Sequence, residues 1–151
     1  MKNLLYIYIT IGLLMPMTSF AQAQDNKITV EVQQIDTSRG GNILLMLFSE
    51  KGFPKVHDDA LSQYSLPVHR DTNSFTVSVN VPNNIQELAI KILHDEDGSG
   101  SVTKNWTGIF PREGLGFSNG AKIRFGPPSF KQAKLHIKDI KNTLSIPIVY
   151  P

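Results

Sequence analysis

The 151-residue chain contains no cysteine. This absence excludes disulfide bonds, zinc sites built on thiolates, catalytic cysteines and a lipid anchor on an N-terminal cysteine. Only 19% of the residues are charged and 40% are hydrophobic, a balance that favours a packed core over a disordered chain. The length corresponds to a single domain.

A strong net charge is also missing. The formal net charge is +2 at pH 7, and cleavage of the N-terminal segment described next would lower it by one with the loss of Lys2. A surface so close to neutral gives no long-range attraction for the phosphates of a nucleic acid. We therefore expect no nucleic-acid partner.

Residues 1–23 have the features of a cleaved signal peptide. Lys2 supplies a positive charge, residues 4–17 form an apolar run, and Ala-Gln-Ala at 21–23 provides the small residues that a signal peptidase recognises. A membrane anchor is the alternative, but the run is short for a span of about 20 residues and no basic cluster follows it. The sequence predicts an exported protein, periplasmic or extracellular, whose mature chain starts near Gln24 without a transmembrane span.

The remaining chain, residues 24–151, is expected to form one β-rich domain. The ranges with strand patterns are 27–36, 43–48, 75–81, 88–93, 134–138 and 144–150. Some alternate between apolar and polar residues and others are continuously apolar, and turn signals separate them. This organisation is typical of an antiparallel β-sandwich, immunoglobulin- or transthyretin-like, with about seven strands. Pro147, which has no amide hydrogen, indicates that the last strand lies at an edge or points Pro147 away from the hydrogen-bonded ladder. Only residues 56–64 have a helical pattern, so we expect one short helix at most.

Residues 94–130 form a long loop rich in glycine, proline and aromatic residues. The loop contains seven of the 11 glycines and five aromatic side chains. A loop this long in a compact domain is usually functional or packed by its own side chains. It either caps one end of the domain and closes the core, or it binds a ligand, with Trp106 and Phe117 as candidate contacts.

The loop begins with the acidic turn His94-Asp95-Glu96-Asp97-Gly98-Ser99-Gly100. Oxygen-bearing side chains at alternate positions around a glycine bend are typical ligands of calcium. Trp106 stands where an EF-hand loop has its bidentate glutamate, so Asn105, or Glu113 folding back, would have to complete a site. The candidate calcium ligands are Asp95, Asp97, Ser99, Ser101, Thr103 and Glu113. The alternative is a turn with solvated acids and no ion.

Two catalytic interpretations are weaker. Residues 116–120 match G-x-S-x-G, but a nucleophile elbow needs a strand before the serine and a helix after it, whereas a Gly/Pro-rich loop precedes Ser118. A pair of carboxylates can hydrolyse glycosides, so a carbohydrate hydrolase that uses Asp95 or Glu96 with Glu113 stays the alternative to a non-enzymatic protein.

Three motifs between residues 88 and 133 carry a family resemblance. They are the acidic turn, the segment Pro111-Arg112-Glu113-Gly114-Leu115-Gly116-Phe117-Ser118-Asn119, and the segment Gly126-Pro127-Pro128-Ser129-Phe130 followed by Ala133. Together they resemble the exported bacterial family catalogued as domain of unknown function 2141. The resemblance implies a secreted, single-domain β-sandwich without an assigned activity. The chain departs from the family pattern at Gly98-Ser99-Gly100, which weakens an ion site carried over by analogy.

The sequence thus predicts an exported, non-enzymatic β-sandwich module. Its 94–130 loop is expected to bind a ligand, a surface polymer or other envelope component, or a partner protein, with calcium as the candidate cofactor. Nothing in the sequence indicates an oligomeric state.

Overall fold

The structure is a computed structural model, and it describes residues 26–151. The predicted signal peptide, residues 1–23, and the predicted start near Gln24 lie outside the described residues. The described chain has eight strands in two sheets and little helix, so the predicted β class is confirmed. Within this range, no helix has both the length and the apolar character needed to span a membrane.

The strands are β1 (Asn26–Gln33), β2 (Asn42–Phe48), β3 (Ser62–Pro67), β4 (Phe75–Val81), β5 (Glu87–Asp95), β6 (Leu115–Phe117), β7 (Leu135–His136) and β8 (Leu144–Pro147). The helical segments are α1 (Phe130–Ala133) and four 3₁₀ turns, Thr37–Arg39, His57–Asp59, Ser118–Gly120 and Ile137–Asp139. The smaller sheet has the strand order β4-β1-β8. The larger sheet has the order β3-β2-β5-β6, and β7 pairs with the beginning of β5.

The two sheets share one hydrophobic core. In β1, the alternate residues Ile28, Val30 and Val32 are buried, as the period-two pattern of that strand predicts. They form one cluster with buried side chains of β4 and β8 from the same sheet and of β2 and β5 from the larger sheet. The sheets are therefore held together by apolar side chains that face each other.

The larger sheet is also buried on its other face. This face carries a second cluster, composed of Leu44, Met46, Phe48, Leu93, Leu115 and Phe117. Side chains from the connecting segments, Phe53, Val102 and Ile123 among them, pack against it. Burial on both faces explains why β2 and β5 are continuous apolar runs in the sequence. We refer to this second side as the loop-covered face.

The C-terminal segment joins the two sheets at one edge. The amide of Ile148 donates to β1, and the next residue, Val149, forms a β-bridge with Leu115 of β6. This close approach requires glycine beside Leu115, because a Cβ atom at Gly114 would lie only 2.4 Å from the ring of Tyr150.

One strand pair differs from the predicted antiparallel arrangement. β8 runs parallel to β1, with Val30 opposite Leu144. A long connection brings the C-terminal strand back beside β1, and no local pattern specifies the direction of such a pair. β8 does lie at an edge of the smaller sheet, as Pro147 predicted. The immunoglobulin- or transthyretin-like assignment stays a prediction.

The predicted helix position is wrong. Residues 56–64 contain only the 3₁₀ turn His57–Asp59 and the start of β3, whereas the α-helix is α1. A capping box formed by Ser129 and Gln132 begins this helix. The predicted strand over 134–138 is also too long, since only Leu135–His136 pairs before a 3₁₀ turn follows.

Candidate functional site

The end of β5 and a short hairpin place three acidic residues together. Asp95 is the last residue of β5 and lies four positions after Lys91. Because alternate residues of a strand point to the same side, both side chains lie on the loop-covered face. The chain then forms a hairpin in which Lys104 pairs with Pro111. This hairpin returns Glu113 to the acidic turn, because the amide of the preceding residue donates to the carbonyl of Thr103 at 2.9 Å.

The carboxylates of Asp95, Asp97 and Glu113 each offer one oxygen within 4.8 Å of the others. Asp95 and Glu113 are buried and Asp97 is exposed. Among residues 26–151, no lysine or arginine forms an ion pair with any of the three. We call these three residues the acidic cluster.

Backbone amides surround the acidic cluster. The donor–acceptor distances are 3.0 Å from Ser99 to both Asp95 and Asp97, 3.1 Å from Gly100 to Asp95, 2.8 Å from Thr103 to Glu113 and 3.1 Å from Glu96 to Glu113. These hydrogen bonds stabilise the negative charges and offset part of their mutual repulsion. They are also the bonds that an ion-free turn would make, the alternative that the sequence left open.

The surroundings of Asp97 and Glu113 shift their pKa values in opposite directions. Hydrogen bonds from the Thr103 hydroxyl, at 2.7 Å, and from Ser99 lower the pKa of Asp97 to about 2. Burial raises the pKa of Glu113, and the charges of Asp97 and Asp95 act in the same direction. Asp97 is therefore ionised at neutral pH, whereas Glu113 retains its proton to higher pH than an exposed glutamate.

The hydroxyl residues of the turn have different roles. Thr103 donates its hydroxyl to Asp97, within the acidic cluster. The Ser99 hydroxyl donates to the backbone carbonyl of Ser101 at 2.9 Å. Ser101 is exposed and contributes backbone groups to the turn, this carbonyl oxygen and an amide that donates to the Ser99 hydroxyl at 3.4 Å.

A pocket of about 510 Å³ lies between the larger sheet and the loop. The apolar residues that line it are Pro54, Val102, Ile109, Phe110, Pro111, Leu115, Phe117, Ile123, Phe125 and Pro127. The basic residues that line it are Lys55, Lys91, Lys104 and Arg124, with His57 beside them. No acidic side chain of the described chain lines the pocket, which is therefore apolar with a positive charge bias.

Lys91 is a functional candidate that the sequence analysis missed. Its side chain is 3% exposed, and its Nζ atom donates to the carbonyl of Pro54 at 2.9 Å and to Nε2 of His57 at 2.6 Å. Burial lowers the pKa of Lys91 to about 8, against the opposing effect of Glu113. The signal was present in the sequence, because Lys91 is the one charged residue in the apolar run 88–93.

His57 connects Lys91 to the acidic turn. Its Nδ1 atom lies 2.8 Å from the carbonyl oxygen of Gly100 and must donate there, which leaves Nε2 as the acceptor for Lys91. Burial lowers the pKa of His57, and the charge of Lys91 acts in the same direction. The neutral ring that this arrangement requires is thus the favoured form.

The two predicted aromatic contacts lie in different places. Phe117 is buried in β6 and lines the pocket, but Trp106 is 96% exposed and lies outside the pocket lining. The exposed apolar side chains at the pocket are instead Ile109, Phe110 and Phe125.

The carboxylates of the hydrolase alternative do not face the pocket. Asp95, Glu96 and Glu113 are absent from its lining. Glu96 forms an ion pair with Arg39 at 2.8 Å, and Arg39 also stacks over the ring of Tyr150. Glu96 thus takes part in a contact between the acidic turn and the C-terminal segment.

Ser118 of the G-x-S-x-G match has a structural role. Its buried hydroxyl accepts from the amide of Ile90 at 2.9 Å and donates to the carbonyl of Ala133 at 2.5 Å. The hydroxyl thus links β5 to the end of α1, and its single O–H donor is used in this link.

A family model described as "Uncharacterized protein conserved in bacteria (DUF2141)" matches residues 30–145. This match confirms the resemblance that the three sequence motifs indicated. Searches of curated proteins and of solved structures each gave no match. The matched range contains the acidic cluster, Lys91 and the whole pocket.

Proposed function

We propose that this chain, which belongs to the bacterial family DUF2141, is a non-enzymatic module that binds a small apolar ligand in the pocket under its 94–130 loop. The observation that carries the proposal is the pocket itself, with its volume of about 510 Å³ and its mainly apolar lining. Small-molecule sites are typically concave, mostly apolar and about 300–1,000 Å³ in volume.

The side chains at the mouth of the pocket support this function. Ile109 is 70% exposed, Phe110 is 54% exposed and Phe125 is fully exposed. Neighbouring apolar side chains in water are characteristic of surfaces that a ligand or partner covers. A ligand that enters the pocket and contacts this mouth would remove their apolar area from water, which favours binding.

Nile red, a neutral apolar dye, tests the proposal by its fluorescence. We expect saturable binding to the protein and weaker binding to the double variant Phe110→Ala/Phe125→Ala, whose exposed side chains contribute little to folding. Trp106→Ala is the matched control, because it removes an exposed aromatic side chain of the same loop outside the pocket. Unsaturable binding, or equal weakening by the control, would overturn the proposed site.

We also propose that calcium binds weakly at the acidic cluster and orders the loop. The observation in favour is three neighbouring carboxylates that have no lysine or arginine partner in the described chain. Asp95, Asp97 and Glu113 would supply charged oxygens, and Ser99, Ser101 and Thr103 would supply neutral ones. With few charges, the dissociation constant is expected in the range of extracellular modules, about 0.1–1 mM.

Thermal melts with excess calcium and with chelator test this second proposal. A ligand at 100 times its dissociation constant stabilises the folded state by about 2.7 kcal/mol, and we expect Asp97→Asn to reduce the gain. Asp71→Asn, which lies outside the acidic cluster, is the control. The absence of a calcium-dependent shift in the wild type would show that the cluster only braces the turn.

Two further proposals concern location and architecture. We propose export to the periplasm or the extracellular space, supported by the composition of residues 1–23. Mass spectrometry should find a mature protein that begins near Gln24, and an intact leader would contradict export.

We also propose a sandwich arrangement of the two sheets, of the immunoglobulin or transthyretin type, supported by the core that they share.

A further inference from the structure

Resting on the proposed function, the inference concerns the chemical class of the ligand. We propose that the pocket takes an organic anion, a small molecule with an apolar body and one carboxylate head group, and that the head group contacts Nζ of Lys91.

The ammonium group of Lys91 has bonding capacity to spare. A lysine ammonium has three N–H donors, and two of them are used, by the carbonyl of Pro54 and by Nε2 of His57. Within residues 26–151, the third donor has no hydrogen-bond acceptor and the charge forms no ion pair. The carboxylate of Glu113 attracts this buried charge without forming an ion pair, so an anionic oxygen that contacts the ammonium group would stabilise it further.

The strand register directs Lys91 toward the pocket. Lys91 lies opposite Phe117 of β6 and Met46 of β2, and residues opposite each other point to the same face of a sheet. Lys91 and Phe117 both line the pocket, so a lysine and a phenylalanine are neighbours in its wall. Because Pro54 and His57 hold the ammonium group, little side-chain freedom would be lost on binding.

The remaining lining favours an anion with an apolar body. Lys55, Lys104 and Arg124 add positive charge, and a negative ligand is attracted by all of them. The apolar side chains, among them Val102 and Ile123, offer contact area to hydrocarbon but no partners for further polar groups. A cation would be repelled, and a neutral ligand would leave Lys91 unpaired.

Isothermal titration calorimetry with octanoate and 1-octanol tests this inference. The two ligands share a hydrocarbon chain and differ in the charge of the head group. Because a hydrogen bond to a charged group contributes about 1.5–3 kcal/mol, we expect octanoate to bind roughly ten- to hundredfold more tightly than octanol. Lys91→Met should remove most of this preference, because it weakens octanoate binding more than octanol binding. Lys138→Met, at an exposed position outside the pocket, is the control and should keep the preference.

The outcomes separate this inference from the proposed function. Equal affinities of the two ligands in the wild type, or an unchanged preference in Lys91→Met, would overturn the anion inference and leave the apolar site intact. Failure of octanoate, octanol and Nile red to bind would overturn the proposed function as well. If Lys91→Met does not fold, the wild-type comparison decides, together with Lys91→Arg, which keeps the charge and is expected to keep the preference.

Discussion

The two faces of the larger sheet differ in what covers them and in which chemical groups they bury. The face toward the smaller sheet packs mainly through aliphatic side chains, such as Ile90 and Ile92 of β5, with the buried His94 at the end of the same strand. The loop-covered face buries Lys91, Asp95 and Glu113 beside a pocket. Buried charges reduce stability, and shifted pKa values are most frequent at functional sites. We therefore assign ligand chemistry to the loop-covered face and folding mainly to the face toward the smaller sheet.

The largest effect is expected from the core between the sheets. Ile92→Ala removes a fully buried side chain and should lower the free energy of unfolding by about 2–5 kcal/mol. Ile123→Ala, at a partly buried position against the loop-covered face, should cost about 1 kcal/mol. Urea unfolding of both variants measures the difference. Equal losses would contradict the division of roles between the two faces.

The next effect concerns the charge of Lys91. Burial lowers its pKa from 10.5 to about 8 in the folded protein. Between these pH values the unfolded chain binds a proton that the folded chain has released, so this group contributes stability that increases with pH. The unfolding free energy of the wild type minus that of Lys91→Met should therefore rise between pH 8 and pH 10.5, by at most about 3 kcal/mol.

Subtracting the unfolding free energy of Lys91→Met cancels the contributions of other titratable groups, except those that interact with Lys91. The nearest of these groups is His57, whose Nε2 atom lies 2.6 Å from Nζ of Lys91; burial lowers its pKa from 6.5, so the ring is neutral throughout this pH range. A difference that is constant or falls as the pH rises would show that Lys91 is solvated in the folded protein.

A smaller effect is expected where the two sheets meet. Gly114→Ala would place a Cβ atom 2.4 Å from the ring of Tyr150 and should cost about 1–3 kcal/mol through overpacking. Gly126→Ala is the matched control, because its added Cβ atom meets nothing within 4 Å. The melting temperatures of the two variants measure this cost. If Gly114→Ala melts at the same temperature as Gly126→Ala, the close contact between Gly114 and Tyr150 contributes little to stability.

Local sequence patterns predicted the parts of the fold that local chemistry specifies. β2, β4 and β5 were visible because apolar runs and strict alternation belong to the strand itself. β3 was missed because Ser62–Pro67 is a polar edge strand with half-buried residues, and β6 because it has only three residues. The parallel pairing of β8 with β1 depends on contacts far apart in the chain, which no local pattern contains.

The candidate site divides in the same way. The acids of the 95–103 turn could be predicted, with Asn105 or Glu113 as the residue that completes the set, because calcium chemistry relates residue type to spacing. The hairpin that returns Glu113 follows from the pairing of Lys104 with Pro111, which the sequence did not indicate. The contact of Lys91 with His57 joins residues 34 positions apart, so only the folded chain shows it.

Amide chemical-shift mapping by NMR during titration with octanoate tests the central claim most directly. The claim is that ligand binding belongs to the loop-covered face, whereas the face between the sheets serves folding. We predict that the shifted amides concentrate at residues that line the pocket, such as Val102, Phe117 and Ile123, with small changes in β1 and β4. Shifts concentrated in the smaller sheet, or no saturable shifts at the pocket, would contradict the account.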